Sequence, residues 1–370
     1  MGASFFLTPE VLLVLWGIVL LMYDVFSNPA PKAMAQLSMA GLMISGASLF
    51  RMWGPDEIEF WGGLYLWDGK AQFFKAFFII AALLVTWMSM HFEVKLESGR
   101  SEFYILILFA VAGMSLLSSV QDFMLLFVAL ELVTITFYIL VSYQRKNPVS
   151  LEAGIKYLIL GGLSSAFLVM GIAYIYGFAG STQFDSVALA LRAQPISPGL
   201  IFGLMLVLVG VGFKAGAVPF HLWVPDVYQG APLPITGFLA SASKAAGFVL
   251  LLRILRGPFV NEEEAGLWVS CLVGMAMLSM VLGNLAAIPQ RNIKRLMAYS
   301  GIGHAGFLMA GVAANTRPAE GMVLYYLVSY MISVLTVFLA AAVVYAKTGA
   351  EQTTALAGLS RRSPLLAFYP

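Results

Sequence analysis

Gly212-Phe213-Lys214-Ala215-Gly216-Ala217-Val218-Pro219-Phe220-His221-Leu222-Trp223-Val224-Pro225-Asp226 interrupts a run that is otherwise apolar enough to cross a bilayer. From Pro198 to Val211 the chain is lipid-compatible. Lys214 follows at once, and Pro219 and Pro225 bring no N–H to a helical ladder. The stretch predicts a membrane helix broken near the bilayer midplane, with Gly216, Pro219, His221 and Pro225 at the break. Unwound backbone survives at that depth only where it is buried in protein or lines a water-filled cavity, as in the ion sites of transporters. Lys214 is therefore expected beside freed carbonyls and a gap open to water. The simpler alternative is a helix that ends at Gly216 and lets Lys214 reach the surface. Against it stands a second lysine, Lys244, near the middle of the next apolar run.

Of the 370 residues, 60% are hydrophobic and only 11% charged, with a net charge of +2, and the mean hydropathy is +0.88. Soluble domains carry about 25% charged residues, so the composition is that of a polytopic membrane protein. One cysteine, Cys271, excludes a disulfide within the chain and argues against a cysteine-ligated iron–sulfur cluster. The three histidines show no metal-ligand spacing, and the charge balance gives no sign of nucleic-acid binding. Glu10 precedes the first apolar run with no basic residue before it, so that run reads as a membrane span rather than a cleaved signal.

Runs of bilayer length lie near 8–26, 33–52, 71–92, 102–120, 122–143, 154–177, 198–230 (broken), 232–254, 265–288, 294–314 and 319–346. Their length points to helices, which makes the chain all-α with eleven spans. Six Lys and Arg residues fall on the N-terminal side (Arg51, Lys70, Arg192, Arg253, Arg256, Arg317). Eleven fall on the other, among them Lys95, Arg145, Lys146, Lys294 and Arg295. The positive-inside rule then predicts an external N-terminus. Lys75 and Lys156 lie near helix ends, where their long side chains are expected to reach the interface. Beyond a polar stretch from Lys347 to Ser363, an apolar run starts at Pro364 and stops at Pro370, as expected of a chain cut short.

Glu131 lies about ten residues into its span, roughly 15 Å deep, and Lys214, Lys244 and His304 share that depth. An unpaired charge there costs at least about 3 kcal/mol, and such groups commonly mark ion or proton pathways. Other roles remain open. Glu131 and Lys214 could form a salt bridge that fastens two helices, His304 among Gly301, Gly303 and Gly306 could bond a neighbouring helix, and His221 could anchor the break. Asp226, nearer a helix end, suits a cap. Thr134, Ser164, Ser165, Ser241, Ser243 and Ser300 adjoin the candidates, where hydroxyls either hold water or join helices.

At these residues the chain resembles the antiporter-like subunits of the proton-pumping NADH–quinone oxidoreductase, respiratory complex I, and within them the subunit N type. The resemblance runs through the whole chain. It includes Leu64-Tyr65-Leu66-Trp67-Asp68 with Phe73-Phe74-Lys75, Ala129-Leu130-Glu131-Leu132, Lys156-Tyr157-Leu158-Ile159-Leu160-Gly161, and Lys294-Arg295-Leu296-Met297-Ala298-Tyr299-Ser300 with Gly303-His304-Ala305-Gly306. It implies a fourteen-helix fold with inverted five-helix repeats and a broken seventh helix. Here that divides into a three-helix segment (1–100), a first repeat (101–256) and an incomplete second repeat (257–370). Glu131, Lys214, Lys244 and His304 match the family's mid-membrane proton-transfer axis. A second broken helix with another lysine would lie beyond residue 370.

The implied function is proton translocation coupled to quinone reduction, with no redox centre in this chain. NADH, FMN, iron–sulfur clusters and quinone are expected in partner subunits, and neighbouring antiporter-like subunits and the lipid bilayer are the expected contacts. The implied location is a bacterial inner (plasma) membrane. Alternatives are a Na⁺/H⁺ antiporter-type subunit, a related membrane-bound hydrogenase subunit, or a scaffold whose charges only set helix packing.

Overall fold

Proline and small polar caps set the helix starts. Asn147, Ser197 and Thr316 each accept a backbone N–H from the first turn, followed by proline at the first or second helical position, where its missing N–H costs nothing. The computed structural model describes residues 8–27, 29–91, 100–259 and 262–368. Among them, eleven helices are long and apolar enough to cross a membrane. The chain is all-α and polytopic, as its composition predicts.

The helices are α1 (Pro9–Ser27), α2 (Pro31–Arg51), α3 (Gly69–His91), α4 (Arg100–Ser118), α5 (Phe123–Val141), α6 (Pro148–Ala179), a short α7 (Phe184–Ala193), α8 (Pro198–Ala215), α9 (Trp223–Gly230), α10 (Leu233–Leu255), α11 (Glu262–Ala287), α12 (Ile293–Ala313) and α13 (Arg317–Thr348). The broken seventh span consists of α8, a loop and α9. The eighth span, α10, is buried along its length and forms the axis of the bundle, whereas α6 and α11 turn most of their surface outward. Leu158, Ile159, Leu163, Met277, Val281 and Leu285 are exposed there, as suits side chains that meet lipid or a neighbouring subunit.

Two corners of the bundle are built alike. Asp122 caps α5, and its strand-like pairing with Gln183 ties that helix start to the end of the 32-residue α6, past the left-handed Gly180. Asn292 caps α12 in the same way and pairs with Gln352, past the left-handed Gly349 that ends the 32-residue α13. The two corners are five spans apart, an odd number, so equivalent helices run in opposite directions. This is the geometry of an inverted repeat.

A two-stranded hairpin, β1 (Ile58–Phe60) with β2 (Tyr65–Trp67), covers the start of α3. Beneath it the sequence reading needs correction. Lys75 does not reach an interface. It is fully buried, pairs with Glu10 at 3.3 Å and donates to the Ser115 carbonyl at 2.8 Å, while the Tyr65 hydroxyl donates to the same Glu10. Arg253 is not a loop charge either: it forms a bidentate pair with Asp68 (2.5 and 2.7 Å) and donates to the Ser118 carbonyl. Lys95 lies outside the described residues.

Candidate functional site

The break forms because α8 cannot continue past Gly216, whose φ of 69° turns the chain into the left-handed region. The Gly216 and Ala217 N–H groups close back onto Phe213 and Gly212, and a cis bond joins Val218 to Pro219. The loop is then held shut. Trp223 Nε1 donates to the Phe213 carbonyl (3.0 Å), and the Val218 N–H donates to Ser279 Oγ on α11 (2.9 Å). The expected freed carbonyl is thus corrected at Phe213, because the indole N–H bonds it.

Lys214 is 3% exposed, and its ammonium has no hydrogen-bond partner. It lies 5.5 Å from the Phe137 ring centroid on α5, an attraction that replaces only part of a lost hydration shell. Glu131 is not its direct partner. That half-buried carboxylate accepts the Ser165 hydroxyl of α6 instead, so the helix-fastening salt bridge is absent. The backbone of Ala215 packs against Gly247, one turn beyond Lys244.

Lys244 follows directly on a π-helical segment, Leu239–Ser243, inside α10. A π-turn is rare and recurs at functional sites, and nothing in the apolar pattern announced this one. The Lys244 ammonium donates to the Gly301 carbonyl (2.5 Å) and the Tyr330 hydroxyl (3.4 Å). Gly301 leaves room for this contact: a Cβ there would stand 2.7 Å from Nζ and would displace it. The His304 ring lies 4.9 Å from that of Tyr330, and its Nδ1 bonds the Tyr326 hydroxyl at 2.6 Å.

The four sequence-named groups therefore divide into two sets: Glu131 with Lys214 around α5, α6 and α8, and Lys244 with His304 between α10, α12 and α13. Tyr326, Tyr330 and Ser279 are additions that sequence reasoning missed. Two tyrosines four residues apart in an otherwise apolar span were the available signal. Thr134 and Ser241 bond carbonyls of their own helices, and Ser164 reaches Gly210 on α8.

At the end opposite the hairpin, Asp226 does not cap α9. It pairs with Lys156 of α6 and Arg295 of α12, both at 2.7 Å, and Gln229 also accepts from Arg295. Lys156 remains part-exposed, as expected of a side chain that reaches an interface, and bonds Glu152 as well. Lys294, counted as a loop charge, is buried against Glu351 and the Ala231 carbonyl. The His221 Nδ1 is buried without a partner. Among the described residues no cluster of His, Cys, Asp or Glu could hold a metal ion.

Residues 120–369 match the family model described as NADH:quinone oxidoreductase/Mrp antiporter, TM. The chain is 41% identical to NADH-quinone oxidoreductase subunit N of Rhodospirillum rubrum, over 97% of this chain and 74% of that protein. It is 39% identical to the subunit N of Moorella thermoacetica, over 98% and 75% respectively. It superimposes with a TM-score of 0.81 on a chain of respiratory complex I from Thermus thermophilus, at 34% identity, covering 98% of this chain and 76% of that one. A chain of the Mrp complex from a Dietzia species gives 0.76 at 21% identity, covering 92% and 38%, a likeness of fold alone.

Proposed function

We propose, since the chain belongs to the NADH:quinone oxidoreductase/Mrp antiporter family of membrane subunits, that it is a subunit N-type component of NADH–quinone oxidoreductase that carries protons across the bilayer. The observation that carries this reading is the Lys214 ammonium, enclosed at a helix break with no ion pair and no hydrogen-bond partner among the described residues. A scaffold has no use for such a group, whose burial costs stability. A proton carrier does, because no bonded partner locks the amine into one protonation state. Glu131 passes protons to Lys214, Lys214 to Lys244, and Lys244 to His304 through the Tyr330 and Tyr326 hydroxyls.

In this reading electrons travel through NADH, FMN, iron–sulfur clusters and quinone in partner subunits, and neighbouring antiporter-like subunits flank this one. The subunit sits in a bacterial inner membrane with its N-terminus outside. Residues 1–100 form the three-helix segment, 101–256 the first repeat and 257–370 part of the second. Sodium antiport is the weaker reading, because the relatives of Rhodospirillum rubrum and Moorella thermoacetica, near 40% identity, are subunit N proteins.

Lys244→Ala tests the reading in the whole complex. Proton uptake by vesicles during quinone reduction should fall, with complex content on native gels unchanged. Undiminished uptake would reduce Lys244 to a packing residue.

A further inference from the structure

We propose that the hydroxyls of Tyr138 and Tyr157 form the uptake path that carries protons from the Asp226 end of the subunit to Glu131. The proposal rests on the proton-carrying reading above and assigns it an entrance. Both phenols are at least nine-tenths buried, at 9% and 0% exposure, and neither hydroxyl has a hydrogen-bond partner. A phenol O–H donates and accepts, and a buried polar atom without a protein partner is stable where it bonds water. Two such groups in contact therefore point to a hydrated file.

Their placement supplies the direction. Tyr138 lies two turns beyond Glu131 on α5, and Tyr157 two turns before Ser165, the residue that bonds Glu131, on α6. The two rings meet edge to face with centroids 5.0 Å apart. The Tyr138 hydroxyl occupies the space beside Gly161, where a Cβ would collide with it, so the glycine on the facing helix leaves room for this polar atom. Tyr157 stacks on Trp223 of the break at 4.6 Å and 14°.

The next residue along the chain is Lys156, part-exposed and joined to Asp226 at the surface. From Lys156 to Ser165 the file spans about 14 Å of helix rise, roughly half the hydrocarbon thickness. The groups facing it are Glu131 and Ser165 at its inner end, and Lys156, Glu152, Asp226 and Arg295 at its mouth. Between them the lining is aromatic: Phe213 and Trp223 pack on Tyr157.

Tyr138→Phe, Tyr157→Phe and the double variant remove the hydroxyls and keep the rings. In vesicles that contain the whole complex, the double variant should pump about fivefold more slowly, the rate equivalent of one lost hydrogen bond. Because proton supply then limits turnover, the rate should recover as the pH on the Asp226 side is lowered. Normal pumping, a slow rate with no such pH recovery, or loss of assembled complex would each overturn the file. Glu131→Gln separates this failure from a deeper one: if it pumps normally, the proton-carrying reading falls as well. If it is inactive while the double variant is normal, only the uptake path falls.

Discussion

At the hairpin end, Glu10 is buried with Lys75, and Asp68 with Arg253; near mid-bilayer, Lys214 and Lys244 are as deeply buried with no carboxylate bonded to either. Both regions bear the cost of removing charge from water. The first recovers it through direct pairs, short and bidentate for Asp68 with Arg253 and 3.3 Å for Glu10 with Lys75, whose remaining donors reach backbone carbonyls at Ser115 and Ser118. The second recovers little: a ring face for Lys214, and one carbonyl with one phenol for Lys244. Paired burial ties the N-terminal helices to α4 and α10. In the proposed function, it is the unpaired groups that exchange protons.

The comparison predicts that charge removal at the two places acts on different quantities. The largest stability effect is expected at the hairpin end. Arg253→Ala strands Asp68 as an isolated buried charge, and breaking a buried pair costs about 3–5 kcal/mol. Native gels should show much less assembled complex. A normal yield would mean that water reaches Asp68 and that the hairpin end is not sealed.

A smaller, pH-dependent effect sharpens the point. Burial alone would raise the Asp68 carboxyl, but the hydrogen bonds and charge of Arg253 outweigh it and hold the group below its ordinary value. A lowered folded value means that the stabilisation is present in full above the unfolded value, about 3.9, and is lost as pH falls through the folded one. The thermal midpoint of the wild-type complex should therefore exceed that of Asp68→Asn by a constant margin near neutrality, and the margin should shrink below about pH 4. A margin that already shrinks between pH 7 and 5 would place the effect on another group.

The eleven spans and the break could be read in advance because they depend on local sequence: apolar length, caps such as Asn147 and Ser197, and Gly216 followed by Pro219. The partners of the charges could not. Lys75 meets Glu10 from 65 residues away, and Arg253 meets Asp68 from 185 away. Nothing within α3 or α10 says that a hairpin closes over their ends. The same limit applies to Glu131: depth alone sets it beside Lys214, whereas its hydrogen-bond partner is Ser165, which faces it from α6. The π-turn before Lys244 escaped notice because its residues are ordinary helix formers; the packing of α10 selects the register.

Lys214→Met should leave stability nearly unchanged, because replacing a buried ammonium that has no hydrogen bond or ion pair with an apolar chain of similar length removes a desolvation penalty and breaks no bonded pair. It is therefore the most direct test of proton carriage by the unpaired axis. Proton uptake by vesicles during quinone reduction would be measured beside the thermal midpoint of the complex and its content on native gels. The account predicts an assembled complex, as stable as wild type or more so, with uptake largely abolished. A variant that pumps normally, or one that loses pumping only as the complex falls apart, would contradict it.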